Sequence, residues 1–325
     1  SIRISPAVST GSQSARWQEK IADLLAGQGF QEIVTNSITN SAYFSEQESE
    51  GLVRMINSLS QELDVMRPRL LETALEVVAH NLNHRNLGLR LFEFGKTYRH
   101  AGGTDYVETQ KLALIWSGDF QEGDWNQPAR SADLFALKSQ LNSLFRWLGL
   151  SGIREEYPQA HSQLIDPIQW ILNGRSVAIG GAISNPCLSR FGIKQPVFYA
   201  ELEWAGLVES ASGKAKKIQS LPKFPLVQRD LSMVVDRSLN WSKLEQSVQK
   251  IGLENLQSIK LFDIFESDKL GAGKRSMAIN LTFQHPEKTL TDAEIDRWMQ
   301  QVMRSEEHTS ELQSRQYLVC RLLLE

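Results

Sequence analysis

The stretch "LLETALEVVAHNLNHRNLGLRLFEFGKTY", residues 70–98, changes its period halfway along. In its first half Leu70, Leu71, Ala74, Leu75, Val78 and Leu82 recur at helical spacing, so a helix of roughly four turns is predicted, opening near Pro68. Past "HRNLG" the spacing shortens: Leu89 and Leu91 alternate, with Phe94 beyond them, and predict a strand over 88–98. A second strand, "KLALIWSGDF" at 111–120, is more continuously apolar, which places it nearer the middle of a sheet. A helix carried on adjacent strands is therefore the unit from which the rest is read.

Upstream, Trp17, Ile21, Leu24 and Leu25 mark a helix over 14–27, stopped by Gly27 and Gly29. Strands are predicted over "FQEIVTNSIT" and over "GLVRMIN" at 51–57. Downstream, Leu134, Leu137, Leu141, Leu144, Phe145 and Leu148 form one face of a second helix, with Asp133 at its positive end and Gly149 closing it. "RSVAIGGAIS" and "PVFYAELEW" are later strands. An antiparallel or mixed sheet carrying helices fits residues 1–208 better than repeated βαβ units. "IGGAI" lacks the spacing and following helix of a phosphate loop.

Residues 209–222 gather Ser, Gly and Lys without apolar periodicity and predict a linker. A smaller domain follows over 223–303. It reads as a strand at "RDLSMVVD", a helix capped by Asn240 and ended by Gly252, and two strands joined through "DKLGAGK". A last helix opens on a capping box, Thr291 with Glu294. The order β-α-β-β-α wants one more strand to complete a ferredoxin-like split βαβ domain. Residues 304–325 break that logic: "RSEEHTSELQS" resembles the translated read-through of a common sequencing adaptor. The expectation is a non-native tail and a lost last strand, with His308 and Cys320 set aside as ligands.

Bulk properties narrow the function classes. The 325 residues suffice for two cores, and 41% apolar with 22% charged residues is an ordinary soluble composition. A formal net charge of -3 argues against a strongly basic nucleic-acid module but leaves room for a local cationic patch. Cys187 and Cys320 lie too far apart for zinc spacing or a disulfide framework, which suits a reducing, cytoplasmic setting. No run approaches the roughly eighteen apolar residues of a membrane span. "SIRISPAV" is not a signal peptide and lacks an initiator Met, so a fragment is expected.

Motifs in a fixed order add a family. Asn57, Ser60, Met66, Arg67, Leu70, Leu71, Asn81, Phe92, Glu93 and Gly95 match the pattern Asn-Pro-x-Ser, Met/Leu-Arg, Leu-Leu, Asn, Phe-Glu-x-Gly; Leu59 replaces its proline. With "DLFALKSQLNSLF", "ELEWAGL", "FPLVQRDLSMVVD", "FDIF", "LGAGKRSMAINLTFQ" and "KTLTDAEID", the chain resembles the bacterial-type β-subunit family of phenylalanyl-tRNA synthetases over 1–303. The resemblance implies a fold of class α+β: a class II synthetase-like antiparallel sheet with flanking helices, then a ferredoxin-like anticodon-binding domain. It also implies an α2β2 assembly that attaches phenylalanine to tRNA(Phe) with ATP and magnesium. In that family the α subunit does the chemistry, so this chain alone is expected to be inactive, with no catalytic or metal residue of its own and no bound cofactor.

The residues support that division. Arg90 and Glu93 sit as Arg-x-x-Glu where class II motif 2 has Arg-x-Glu, and Gly180, Gly181 and Arg190 lack the motif 3 signature. Adenylyl transfer needs cations on the phosphate oxygens. Lys223, Arg229, Lys260, Lys274 and Arg275 are the candidate tRNA contacts, as a shallow basic surface, with Phe262, Phe265 and Phe283 available for stacking but at least two of them expected in the core. Asp230 is expected to accept backbone N–H bonds beside a half-exposed Arg229. Arg67, Asn81, Arg85 and Glu93 are the candidates for a subunit interface, although Glu93 also suits a salt bridge to Arg67 or Arg90, and Asn81 with Arg85 a solvated helix end. The rival reading is a protein–protein scaffold that binds no RNA.

Overall fold

The computed structural model describes residues 13–58, 60, 62–102, 105–121, 123–211, 223–267, 270–271 and 273–309, with 304–309 as backbone. The chain divides into two compact units, Ser1–Lys216 and Lys217–Glu325.

In the larger unit the elements run α1 (Gln13–Gly27), β1 (Gln31–Glu32), β2 (Ile38–Thr39), α2 (Glu46–Ser49), β3 (Val53–Arg54), β4 (Val65–Met66), α3 (Leu71–Asn83), β5 (Leu89–Gly102) and β6 (Asp105–Ser117). They continue with β7 (Asp119–Gln121), β8 (Arg130–Ser131), α4 (Leu134–Trp147), β9 (Arg154–Glu156), β10 (Leu164–Leu172), β11 (Arg175–Ile183), α5 (Asn185–Arg190), β12 (Val197–Glu203) and α6 (Trp204–Ala211). Seven strands form the main sheet in the order β1-β5-β6-β12-β11-β10-β9. Only β1 lies parallel to its neighbour; the other pairs are antiparallel.

Alternation sorts the two faces of this sheet. Phe92, Leu112, Leu114 and Trp116 join one core with Ile21 and Leu25 of α1, Leu137, Leu141 and Leu144 of α4, and Leu207 of α6. Leu89, Leu91, Ala113 and Ile115 join the other with Leu71, Ala74, Leu75 and Val78 of α3 and Leu188 of α5. From Leu112 to Ser117 strand β6 is buried on both faces, which is why that half of it is nearly continuous in apolar residues. It ends at Gly118, whose φ is +70° and where a Cβ would lie 2.0 Å from the Leu87 carbonyl oxygen, so only glycine permits the step to β7.

Several expectations are met with shifted bounds, and others are not. The strand expected over "FQEIVTNSIT" is two short pieces, β1 and β2. Strand β10 has little sequence signal, because Asp166 at φ +48° and Pro167 interrupt it, with a register shift between Ile165 and Ile168. Helix α6 carries order to Ala211, a buried residue, three positions into the expected linker, whose remaining residues 212–222 lie outside those described.

The smaller unit runs β13 (Val227–Asp236), α7 (Trp241–Lys250), β14 (Leu256–Phe265), β15 (Lys274–Phe283) and α8 (Asp292–Thr309). Its antiparallel sheet has the order β13-β15-β14. Leu231, Met233, Met277, Ile279, Leu281 and Phe283 pack against Leu244 and Val248 of α7 and Ile295, Met299 and Val302 of α8. The expected capping residues open α8: Glu294 accepts from the Thr291 backbone N–H at 3.0 Å and from its hydroxyl at 3.0 Å. Asn240 sits in extended conformation before α7 without a side-chain cap bond. The backbone of α8 continues to Thr309, six residues into the expected tail; residues 310–325 lie outside those described, and so does any strand they form.

Candidate functional site

On the α3 side of the large sheet, three strands each present a charged residue. Glu93 on β5 is 1% exposed and accepts from Arg67 Nη1 at 2.8 Å, from the Thr35 N–H at 3.1 Å and from the Thr35 hydroxyl. Arg67, 3% exposed, also donates from Nε to the Lys96 carbonyl at 2.9 Å. Gly95 makes room for this guanidinium, since a Cβ there would lie 2.5 Å from Arg67 Nη2. Glu201 on β12 accepts from the Leu70 N–H at 3.0 Å and from the Tyr199 hydroxyl at 2.7 Å, which fixes the entry of α3. Lys111 on β6 reaches Glu201 at 3.5 Å and Glu203. Burial, and then the Glu201 carboxylate, push the Tyr199 phenol well above its ordinary range.

A second knot adjoins the first. Arg69 pairs with Glu72 at 2.6 Å and with Glu48, and lies over the Phe44 ring at 5.2 Å. Burial raises the Glu72 carboxyl despite Arg69. These groups tie Thr35, Arg67 and the first turn of α3 to the sheet and to Glu48, so Arg67 and Glu93 serve each other within the chain. Both side chains are buried in the larger unit, and Glu93 makes the salt bridge to Arg67 that was its other reading. Sequence reasoning missed Glu201, Lys111 and Tyr199; the one signal was a carboxylate inside the otherwise apolar run "VFYAELE".

Each of the two arginines weighed for phosphate binding has a partner within the larger unit. Arg90 Nη1 donates to the Gln28 carbonyl at 2.8 Å and its guanidinium sits 6.0 Å from the Trp116 ring centre. Arg190 donates to the Tyr43 carbonyl. Each guanidinium thus places one N–H on a backbone carbonyl of the same unit. Asn81 and Arg85 stand at the end of α3: Asn81 Nδ2 donates to the Val77 carbonyl at 2.9 Å, its Oδ1 accepts from Asn86, and Arg85 is exposed at φ +66°. That is a solvated helix end with Arg85 and His84 outward.

In the smaller unit the ladder assigns each candidate to a face. Arg229 stands opposite Leu281 and Arg275 opposite Val235, so both lie on the helix-covered face. There Arg229 pairs with Asp292 at the start of α8 at 2.7 Å, and Arg275 Nη2 donates to the Leu239 carbonyl at 2.7 Å. Lys260 stands opposite Asn280, which stands opposite Asp230, on the other face; Lys274, opposite Asp236, shares it. Lys223 is exposed ahead of β13. The five cations therefore do not form one patch. Asp230 accepts from the Asn280 side chain at 2.6 Å, not from backbone N–H groups as expected. Phe283 is fully buried, but Phe262 and Phe265 are 57% and 56% exposed, so one phenylalanine of the three is core and not two. Phe262 is the extra residue of a bulge between Leu261 and Asp263, a shift that sequence periodicity does not announce.

A seven-stranded, mainly antiparallel sheet between helices, followed by a small split sheet, defines a tRNA synthetase-like core with a ferredoxin-like domain. The solved pyrrolysyl-tRNA synthetase of Desulfitobacterium hafniense has a similar fold, with a TM-score of 0.50 at 18% identity over 64% of this chain and 70% of that one. The family model described as the phenylalanyl tRNA synthetase beta chain CLM domain matches residues 3–204, and the ferredoxin-fold anticodon binding domain matches 222–315. The chain belongs to the phenylalanyl-tRNA synthetase β-chain family. It is 32% identical over 300 residues to the phenylalanine--tRNA ligase beta subunit of Porphyromonas gingivalis, covering 88% of this chain and 37% of that one. The same-named subunit of Bacteroides fragilis is 30% identical over 310 residues, covering 90% and 37%. The chain thus spans a little over a third of the length of these curated relatives.

Proposed function

We propose that this chain is the C-terminal part of a bacterial phenylalanine--tRNA ligase β subunit and acts in a cytoplasmic α2β2 enzyme. In this reading the larger unit docks the catalytic α subunit, and the smaller unit engages the anticodon region of tRNA(Phe). In this reading ATP and magnesium act on the α subunit, while Arg90 and Glu93 of this chain hold the Gln28 carbonyl and Arg67. The contribution is positional: anchoring the RNA at one end lets its acceptor end meet a separate active site in productive geometry.

The observation that carries the reading is the order of the two family matches in one chain, a catalytic-like core and then an anticodon-binding fold. Arg85, His84 and Asn81 at the exposed end of α3 are proposed for the α-subunit contact; Lys223, Lys260 and Lys274 are the cations most open to RNA, with Arg229 shared with Asp292. Co-expression with the matching α chain tests it. Co-purification, with tRNA(Phe) aminoacylation that fails when either chain is omitted, supports the reading. Co-purification with no effect on tRNA binding supports the scaffold alternative, and ATP–pyrophosphate exchange by this chain alone would point to an independent ligase.

A further inference from the structure

On the side of the large sheet away from the Arg67–Glu93 pair, the outer flank of α4 borders an open cavity of about 570 Å³, the size of a small-ligand site. Its second wall is the chain after Gly149, which doubles back beside the helix, so that Lys138 meets Glu155 at 2.6 Å. Phe145, Leu150 and Ile153 line it with apolar surface. Phe135, Ser139, Asn142 and Arg146 recur every three or four residues along α4 and share one stripe beside it. The Phe135 ring is 77% exposed, a cost in water that a covering group would relieve.

Charge and reach narrow the ligand. Lys138 is neutralised by Glu155, whose carboxylate also accepts from the Tyr157 hydroxyl at 2.8 Å. Arg146 is exposed and has no hydrogen bond or ion pair among the described residues; the side chains of Ser139, Asn142 and Ser151 have none either. An unpaired guanidinium takes an oxyanion, and its parallel N–H groups suit phosphate. From Lys138 to Arg146 the helix rises roughly 12 Å, so a compact anion on Arg146 leaves Phe135 bare and an amino acid spans too little. A base, sugar and phosphate in line cover that distance. Between the two ends, Asn142 offers the amide donor and acceptor that pair with an adenine edge. We infer that the α4 cavity binds an adenosine 5′-monophosphate unit, with the phosphate on Arg146, the base against Phe135 and its edge on Asn142. This site stands apart from the α-subunit and anticodon roles proposed above. The unit can come from a free nucleotide or from a strand of RNA, and the choice of probe tells these apart.

The test is calorimetric titration of the full chain with adenosine 5′-monophosphate, adenosine, inorganic phosphate and the trinucleotide ApApA. The monophosphate is expected to bind at a single site, with adenosine and phosphate each weaker by about tenfold or more. Arg146→Gln and Phe135→Ala should each weaken it about tenfold or more, while Phe135→Tyr, which keeps the ring, should bind like the parent. Tighter binding of ApApA than of the monophosphate identifies an RNA strand as the source, and the reverse a free nucleotide. Photolabelling of the unaltered chain with 8-azidoadenosine monophosphate should mark residues 135–153, a readout independent of how the variants fold. No binding of either nucleotide probe, equal binding of adenosine and its monophosphate, indifference to both Arg146→Gln and Phe135→Ala, or a label outside 135–153 would each overturn the site. None of these outcomes bears on co-purification with the α chain, so the proposed function stands or falls separately.

Discussion

Arg67 Nη1 donates to Glu93 Oε1 at 2.8 Å with both side chains almost wholly out of water, 4% and 1% exposed. Each also takes its remaining bonds from the backbone or from Thr35, so the pair is satisfied only as a unit. Removing one partner leaves a buried charge uncompensated. Glu93→Ala is expected to destabilise the larger unit by about 3–5 kcal/mol, read from urea unfolding. Arg67→Lys, which keeps the charge but loses the fork, should recover only part of that.

Gly95 tests the same geometry from the other side. A methyl group there would lie 2.5 Å from Arg67 Nη2 and 2.7 Å from Leu70 Cδ2. Gly95→Ala is expected to cost about 1–3 kcal/mol through displacement of well-packed groups. Gly27→Ala, where a Cβ meets nothing within 4 Å, should be neutral or stabilising, with thermal melts of the two variants as the measurement.

Acid should loosen the segment that Arg69 holds. Burial pushes the Glu48 carboxyl up, but the bonds from Arg69 and from the Ser45 N–H outweigh it and bring it from 4.5 down to about 2. A carboxylate depressed on folding stabilises the fold fully above its unfolded value, and that help vanishes as the pH falls toward its folded value. Between pH 4.5 and about 2 the parent should therefore lose stability more steeply than Glu48→Gln. Urea midpoints across that window, with equal slopes in the two proteins as the contrary result, decide it.

Because each unit has its own core, damage to one should stay local. Leu281 is fully buried among residues of the smaller unit. Leu281→Ala is expected to lower that unit's stability by about 2–5 kcal/mol. Hydrogen exchange resolved by peptide should show faster opening across 227–303 and unchanged protection across 13–211.

Much of this was legible in the sequence wherever one physical period ruled. Helices α3 and α4 announced themselves because one face of each is buried, and β6 from Leu112 onward because both its faces are. The Thr291–Glu294 pair could be read because capping is local chemistry. Strand β10 could not, since its register slips at Asp166 and Pro167. The sites were harder still. Periodicity tells which residues avoid water but not which ladder partner they meet, so the five cations looked like one group until pairing split Arg229 and Arg275 from Lys260 and Lys274. Glu93 and Arg67 carried polar labels that a sequence reads as surface, and only their mutual distance explains why they are inside.

Strand β13 meets β15 along its ten residues, Val227 to Asp236, and among the described residues no strand lies on its other flank. Strand β15 is thus the one strand of this sheet with a ladder on both flanks among the described residues, and a change that unseats it would leave β13 and β14 without their shared partner.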